Sequence, residues 1–113
     1  MSLVRLCGVG EVPEGEVRRF EVDHRPIAVV NLGEEGFRAV DAICSHAHYF
    51  LDEGEVDVDF GTIECPKHGS TFDLETGRPA TLPATQPVRV FTVKVEGDDV
   101  LVDYDQNDEV NDG

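Results

Sequence analysis

The nine residues CPKHGSTFD, positions 65–73, decide how the chain is read. The whole sequence has only three cysteines and four histidines, yet here one of each stands two residues apart. Pro66 stiffens the start of the segment and Gly69 permits a sharp turn just after His68. The partners of such a pair lie upstream, in Cys44-Ser45-His46. The full pattern is Cys44-x-His46, eighteen intervening residues, then Cys65-x-x-His68. Each pair follows a strand-like segment, AVDAI at 39–43 and GTIE at 61–64, so two neighbouring strand ends can present two loop fingers to one metal site.

Two thiolates and two imidazoles suit zinc, and they also suit a two-iron, two-sulfide cluster in which cysteines hold one iron and histidines the other. Structural zinc sites commonly pair Cys with Cys and His with His. Here each loop supplies one of each, an arrangement matched more naturally by a two-iron rhomb that both loops can reach. A mononuclear tetrahedral zinc site, and with it a zinc-stabilised interaction module, stays open on ligand chemistry alone.

The rest of the chain reads as strands. VRRFEV (17–22) alternates, with Phe20 and Val22 on one face. PIAVVNL (26–32) is an apolar run suited to a strand buried on both sides. GFRAVDAI (36–43) follows the turn signal GEEG, so a hairpin spans 26–43. VRVFTVKVEGDDVLV (88–102) reads as a second hairpin turning at Gly97. Its first arm changes parity between Val90 and Phe91, which calls for a bulge or a doubly buried strand. Short antiparallel strands broken by Gly, Pro and Asp predict an all-β sandwich or small barrel. Two polar segments, 44–54 and 65–87, stand outside the strand rhythm, and the second carries Pro66, Pro79, Pro83 and Pro87. Residues 104–113 are acidic with little to bury and read as a frayed tail.

Composition narrows the function. With 113 residues and 40% apolar content the chain suits one modest core, taken here as a single domain over 1–103. No run approaches the roughly 18 apolar residues of a membrane span. MSLVRLCGVGEVPEG carries neither a basic leader nor an apolar signal region, and three cysteines do not suggest a disulfide scaffold, so the expectation is cytoplasmic. The balance of 24 acidic and 9 basic residues, net −15, makes nucleic acid and anionic membranes poor partners.

In its two boxes, C-S-H and C-P-K-H-G-S-T-F-D, the sequence resembles the Rieske proteins. The likeness extends to Pro66, Gly69, the Phe72-Asp73 pair and the TGRP segment at 76–79, with the proline-bearing loop 79–87 resembling the cover over the cluster. The cluster-binding region is then about 43–87. The short length and the bare N-terminus look like the soluble ferredoxins of bacterial multicomponent oxygenases. The resemblance implies one [2Fe–2S] cluster, with Cys44 and Cys65 on one iron and His46 and His68 on the other. It implies a one-electron carrier, with no catalysis of its own, that takes electrons from a flavoprotein NAD(P)H reductase and passes them to a terminal oxygenase. The expected form is a monomer docking through its acidic surface. A tightly bound electron-transfer subunit, as in nitrite-reductase-like systems, is the alternative within the same fold.

The remaining candidates have plainer readings. Cys7 reads as a packing residue, His48 as a surface group beside the first finger, and His24 as a turn residue. Tyr49, Phe50 and Phe72 read as packing. The acid run Asp52, Glu53, Glu55, Asp57 and Asp59 is either a solvated face or an electrostatic docking rim near the histidines.

Departures from the high-potential Rieske pattern set the redox expectation. Neither Ala47-His48-Tyr49 nor Lys67 supplies a bracing cysteine. Ser70 can retain one hydroxyl donor, while Phe72 stands where a tyrosine would donate a second. Fewer hydrogen bonds to sulfur stabilise the reduced cluster less, so the midpoint is expected near the low end of the roughly −150 to +300 mV Rieske span. Reduction raises the imidazole pKa values, so the potential should fall with pH under alkaline conditions. Voltammetry checks both: a midpoint above about +100 mV, or a flat potential up to about pH 10, contradicts the assignment.

Overall fold

In this computed structural model the described residues are 3–43, 50–66, 69–80 and 87–103. The ligand candidates Cys44, His46 and His68, and with them His48, Tyr49, Lys67, most of the covering loop and the acidic tail, lie outside them.

Among the described residues ten strands form three antiparallel sheets. They are β1 (Leu3–Gly8), β2 (Val17–Val22), β3 (Arg25–Asn31), β4 (Phe37–Asp41), β5 (Val56–Asp57), β6 (Thr62–Glu64), β7 (Thr71–Asp73), β8 (Val90–Phe91), β9 (Val93–Glu96) and β10 (Asp99–Asp103). The central sheet runs β2-β3-β4-β8, the second β1-β10-β9 and the third β5-β6-β7. Among the described residues no helix is long and apolar enough to cross a membrane.

The central sheet is covered on both faces, which is why Ile27, Ala28, Val29 and Val30 are all fully buried in succession. Ala28 and Val30, with Val40 and Ala42, face a first core shared with Leu51, Ile63, Cys65, Phe72 and Leu74. Ile27 and Val29, with Ala39 and Phe91, face a second core shared with Cys7, Val100 and Val102. Alternation thus delivers successive side chains to two different cores. The same rule explains the parity change at Val90–Phe91: Val88 and Val90 belong to the first core, and Phe91 and Val93 to the second. The strand is doubly buried there, and it also passes between sheets, since β8 pairs with β4 while β9 pairs with β10.

The turns follow from local chemistry. Asp23 (φ 51°) and His24 (φ 69°) form the two-residue link between β2 and β3, where Val22 pairs with Arg25. Both central residues left-handed is the turn geometry that matches strand twist. The GEEG turn joins β3 to β4 through a short 3-10 segment at Gly33–Glu35. A register shift between Arg5 and Cys7 makes Leu6 the extra residue of a bulge, so Leu6 and Cys7 both reach the second core.

One close approach ties the third sheet to the rest. A Cβ placed on Gly54 would fall on the carbonyl oxygen of Glu64, and would lie 3.3 Å from Pro66 Cδ. Gly54 has φ −92°, ordinary extended backbone, so the demand for glycine here is steric. Gly10 has nothing within 4 Å of the equivalent point. Gly54→Ala should therefore cost about 2–3 kcal/mol in a urea titration, while Gly10→Ala stays within about 0.5 kcal/mol of the natural chain. Equal midpoints for the two variants would mean that the Gly54 contact relaxes freely.

Candidate metal centre

Both finger-bearing segments are framed by backbone hydrogen bonds. The first leaves the central sheet after β4 and returns at Phe50, and an antiparallel bridge between Ile43 and Phe50 closes its base. Just inside that base the Leu51 N–H donates to the Ala42 carbonyl at 2.7 Å. The second leaves β6 at Cys65. There the Cys65 N–H donates to the Ser70 carbonyl at 2.7 Å, and the Gly69 N–H donates to the Cys65 carbonyl at 3.0 Å. This is a tight loop whose reversal needs the left-handed φ of 77° at Gly69. The two bases are neighbours through the Gly54–Glu64 contact and a 2.8 Å bond from the Glu64 N–H to the Glu55 carbonyl.

Cys65 is fully buried, inside the first core with Phe72 and Leu74. A thiol so placed, at a strand end and opening onto a loop that contains His68, suits a thiolate ligand shielded from water. Ser70 beside it is also fully buried. Phe72 is buried as a packing residue, as the sequence suggests. Among the described residues no three His, Cys, Asp or Glu side chains converge on a metal position, and of the four proposed ligands only Cys65 is among them. The remaining donors, Cys44, His46 and His68, complete a soft-and-borderline set by residue type, and that set fits a two-iron cluster.

The covering segment is built from its own turn. Asp73 Oδ1 accepts from the N–H groups of Glu75 (2.7 Å) and Thr76 (3.2 Å), and the Gly77 N–H donates to the Asp73 carbonyl at 2.7 Å. From there Arg78–Ala80 runs along β7, with Pro79 bridged to Phe72 and the Ala80 N–H bonded to the Thr71 carbonyl at 2.7 Å. Gly77, at φ 80°, presses against the Val88 carbonyl where any Cβ would collide. The other end of the loop is thereby fixed, since the Val88 N–H donates back to Gly77 at 2.8 Å.

Two titratable groups mark the boundaries of the site. Cys7 faces the second core; burial pushes its thiol up to about 11, helped by Glu11 and opposed by Arg5. It is a protonated packing residue, not a ligand. Asp41 ends β4, three residues before Cys44. Burial raises its carboxyl above the ordinary value, against the lowering effects of the Ile43 N–H and the Arg25 charge.

The acid run divides. Glu53 and Glu55 are exposed near the finger bases. Asp57 instead ends β5 and Asp59 sits in the β5–β6 turn, where Asp57 Oδ1 accepts from the Asp59 and Phe60 N–H groups. That turn is at the other end of β6, about 10–13 Å from Cys65 at the usual strand rise. Sequence reading missed Glu64, whose Oε2 is 3.3 Å from the point a Gly69 Cβ would occupy. It missed Arg19 too, which stacks on Phe50; neither has a sequence signal of its own.

Comparison with known proteins gives a consistent result. Residues 2–92 match the family model described as "Rieske [2Fe-2S] domain". The ferredoxin component of biphenyl 2,3-dioxygenase from Rhodococcus jostii (strain RHA1) is 45% identical over 105 residues, covering 93% of this chain and 95% of that protein. The ferredoxin of carbazole 1,9a-dioxygenase from Nocardioides aromaticivorans IC177 superposes with a TM-score of 0.85 at 35% identity, over 90% of this chain and 97% of its own. A chain from a complex of reduced oxygenase and oxidised ferredoxin in carbazole 1,9a-dioxygenase gives 0.80 at 37% identity, over 88% and 100%.

Asp41 supplies a test with a defined sign. Because its folded pKa is raised, the native state holds the proton more tightly than the unfolded chain, and stability is lost as pH rises through the folded value. Asp41→Asn removes the charge and keeps an oxygen for the Ile43 N–H. Its thermal midpoint should exceed that of the natural chain at pH 7–8, and the gap should close toward about pH 4, near the ordinary carboxyl value. A lower midpoint at pH 7 would show that attraction to Arg25 outweighs burial.

Proposed function

The chain belongs to the Rieske [2Fe–2S] domain family, and we propose that it serves a terminal oxygenase as that enzyme's electron supply, loaded in turn by a flavoprotein NAD(P)H reductase. It carries one Rieske-type cluster and is an electron carrier, not a catalyst. Cys44 and Cys65 hold one iron, and His46 and His68 the other. The observation that carries this assignment is the fully buried Cys65 thiol at the end of β6, in a hydrogen-bonded loop that leads directly to His68.

The bound cluster takes up and releases one electron at a time. What the chain contributes is placement. The first core closes over Cys65 and keeps water from the thiolate, and the Ile43–Phe50 bridge holds the two ends of the first finger together. Gly54 lets the base of one finger touch the base of the other. Electron transfer between proteins then depends on how closely a partner reaches the finger end, and the chain works there as a monomer in the cytoplasm.

Glu53, Glu55 and Glu64 place negative charge at the finger bases, where a basic rim on a partner would be steered toward the cluster. Asp57 and Asp59 are too distant along the sheet to share that role.

Two measurements test this reading. Metal analysis should find two irons and two labile sulfides per chain, with a reduced-state electron-spin-resonance signal that Cys65→Ser abolishes. One zinc and no colour would end the electron-carrier reading. In stopped-flow transfer to the oxygenase, Glu53→Lys with Glu55→Lys should slow association about ten-fold at low salt, and the loss should shrink as salt rises. Asp57→Lys with Asp59→Lys should stay within about three-fold. Equal effects from the two pairs would place docking elsewhere.

A further inference from the structure

Arg19 projects from β2 onto the limb by which the first finger returns. Its guanidinium carbon lies 3.8 Å from the centre of the Phe50 ring, close enough for a cation–π contact. On the same limb Asp52 Oδ1 is buried with no hydrogen-bond partner, and Arg19 Nη1 approaches it at 3.9 Å. Phe50 is half of the bridge that closes the finger, opposite Ile43, and Cys44 follows Ile43 directly. One cation therefore touches the ring of the residue whose backbone closes the finger, and faces the carboxylate two residues beyond it. Only nine basic residues stand against 24 acidic ones in this chain, so a cation spent here is notable.

We propose that Arg19 is the positioning residue of the first finger. Through Phe50 and Asp52 it fixes the geometry in which Cys44 and His46 meet the metal, and it balances the Asp52 charge at the finger's root. This rests on the ligand assignment proposed above. The stack needs a planar guanidinium, which a lysine ammonium cannot reproduce, whereas the charge balance needs only a cation. Packing and electrostatics therefore make separate predictions.

The test compares Arg19→Gln, Arg19→Lys, Asp52→Asn, Phe50→Leu and the Arg19→Gln/Phe50→Leu double variant in the intact metal-loaded chain. Metal release to a chelator should quicken about five-fold in Arg19→Gln and in Phe50→Leu, and the double variant should be no faster than either. Arg19→Lys should keep the faster release and recover the potential. Arg19→Gln should lower the midpoint potential, because it strips a positive charge and leaves Asp52 uncompensated. Asp52→Asn should raise it. A residue that merely stabilised the fold would move both potentials together or neither. Opposite shifts with the quickened release support the proposal. Natural release rates in Arg19→Gln and Phe50→Leu, or potentials that do not part in sign, overturn it, even if thermal midpoints fall. Should Arg19→Gln not fold, Arg19→Lys and Phe50→Leu decide the release test and Asp52→Asn the charge test. The ligand assignment is checked separately by the iron and sulfide content of the unsubstituted chain; if that chain holds zinc, the release comparison still reads the role of Arg19.

Discussion

The contact between the backbone of Gly54 and the carbonyl of Glu64 is the constraint on which the site depends. Ligands from two loops can meet on one centre only if both loops start from a common base. Here the return limb of one finger and the departure of the other are pressed together at main-chain distance, with no side chain between them. The Glu64 N–H bond to the Glu55 carbonyl and the Ile43–Phe50 bridge extend that shared base on either side. Loops that would otherwise sample many arrangements are fixed at their roots, which is how a rigid scaffold makes loop-borne chemistry reproducible.

That base is stiff because the central strand of the sheet beneath it, β3, is buried on both faces. Residues 27–30 deliver side chains alternately into two cores, so β3 cannot slip by one residue without exchanging them. Cys65 is itself a member of the first core. Folding the third sheet onto the central one therefore places the Cys65 thiol, and under the proposed ligand assignment metal binding would be coupled to the packing of Phe72, Leu74 and Ile63. Val88, bonded to the Gly77 carbonyl, packs into the same core.

Elements were legible where a single physical rule governed them. The apolar run 26–32 reads as doubly buried because no polar position interrupts it, and GEEG and Gly97 read as turns because glycine tolerates what others do not. The four ligand candidates come from residue type and spacing, and of them only Cys65 lies among the described residues. The short strands were not. Val56–Asp57 has two residues and no period to detect, and Thr71–Asp73 is hidden in a polar, proline-studded stretch and is held by backbone pairing to β6 and Pro79. The passage of residues 90–93 from one sheet to another is set by what lies on either side of the chain, not by the residues themselves. Gly54 and Arg19 were illegible for a related reason: their importance lies in contacts ten and thirty-one residues distant, with the Glu64 carbonyl and the Phe50 ring.

Charge distribution, rather than total charge, links this fold to electron transfer. A chain at net −15 resists gaining an electron, but most of that charge is exposed, and beyond a screening length of about 8 Å it acts weakly in physiological salt. The β5–β6 turn with Asp57 and Asp59 lies past that distance from Cys65, so its acids act only weakly there. Groups at the finger roots are closer and less solvated, and there the sequence places opposite charges in contact, Arg19 against Asp52. Pairing them offsets one carboxylate at the root of the first finger, while Glu53 and Glu55 stay exposed beside it. The acidic run is thus not uniform: Asp52 faces a cation at the finger root, whereas Glu53 and Glu55 are turned to solvent.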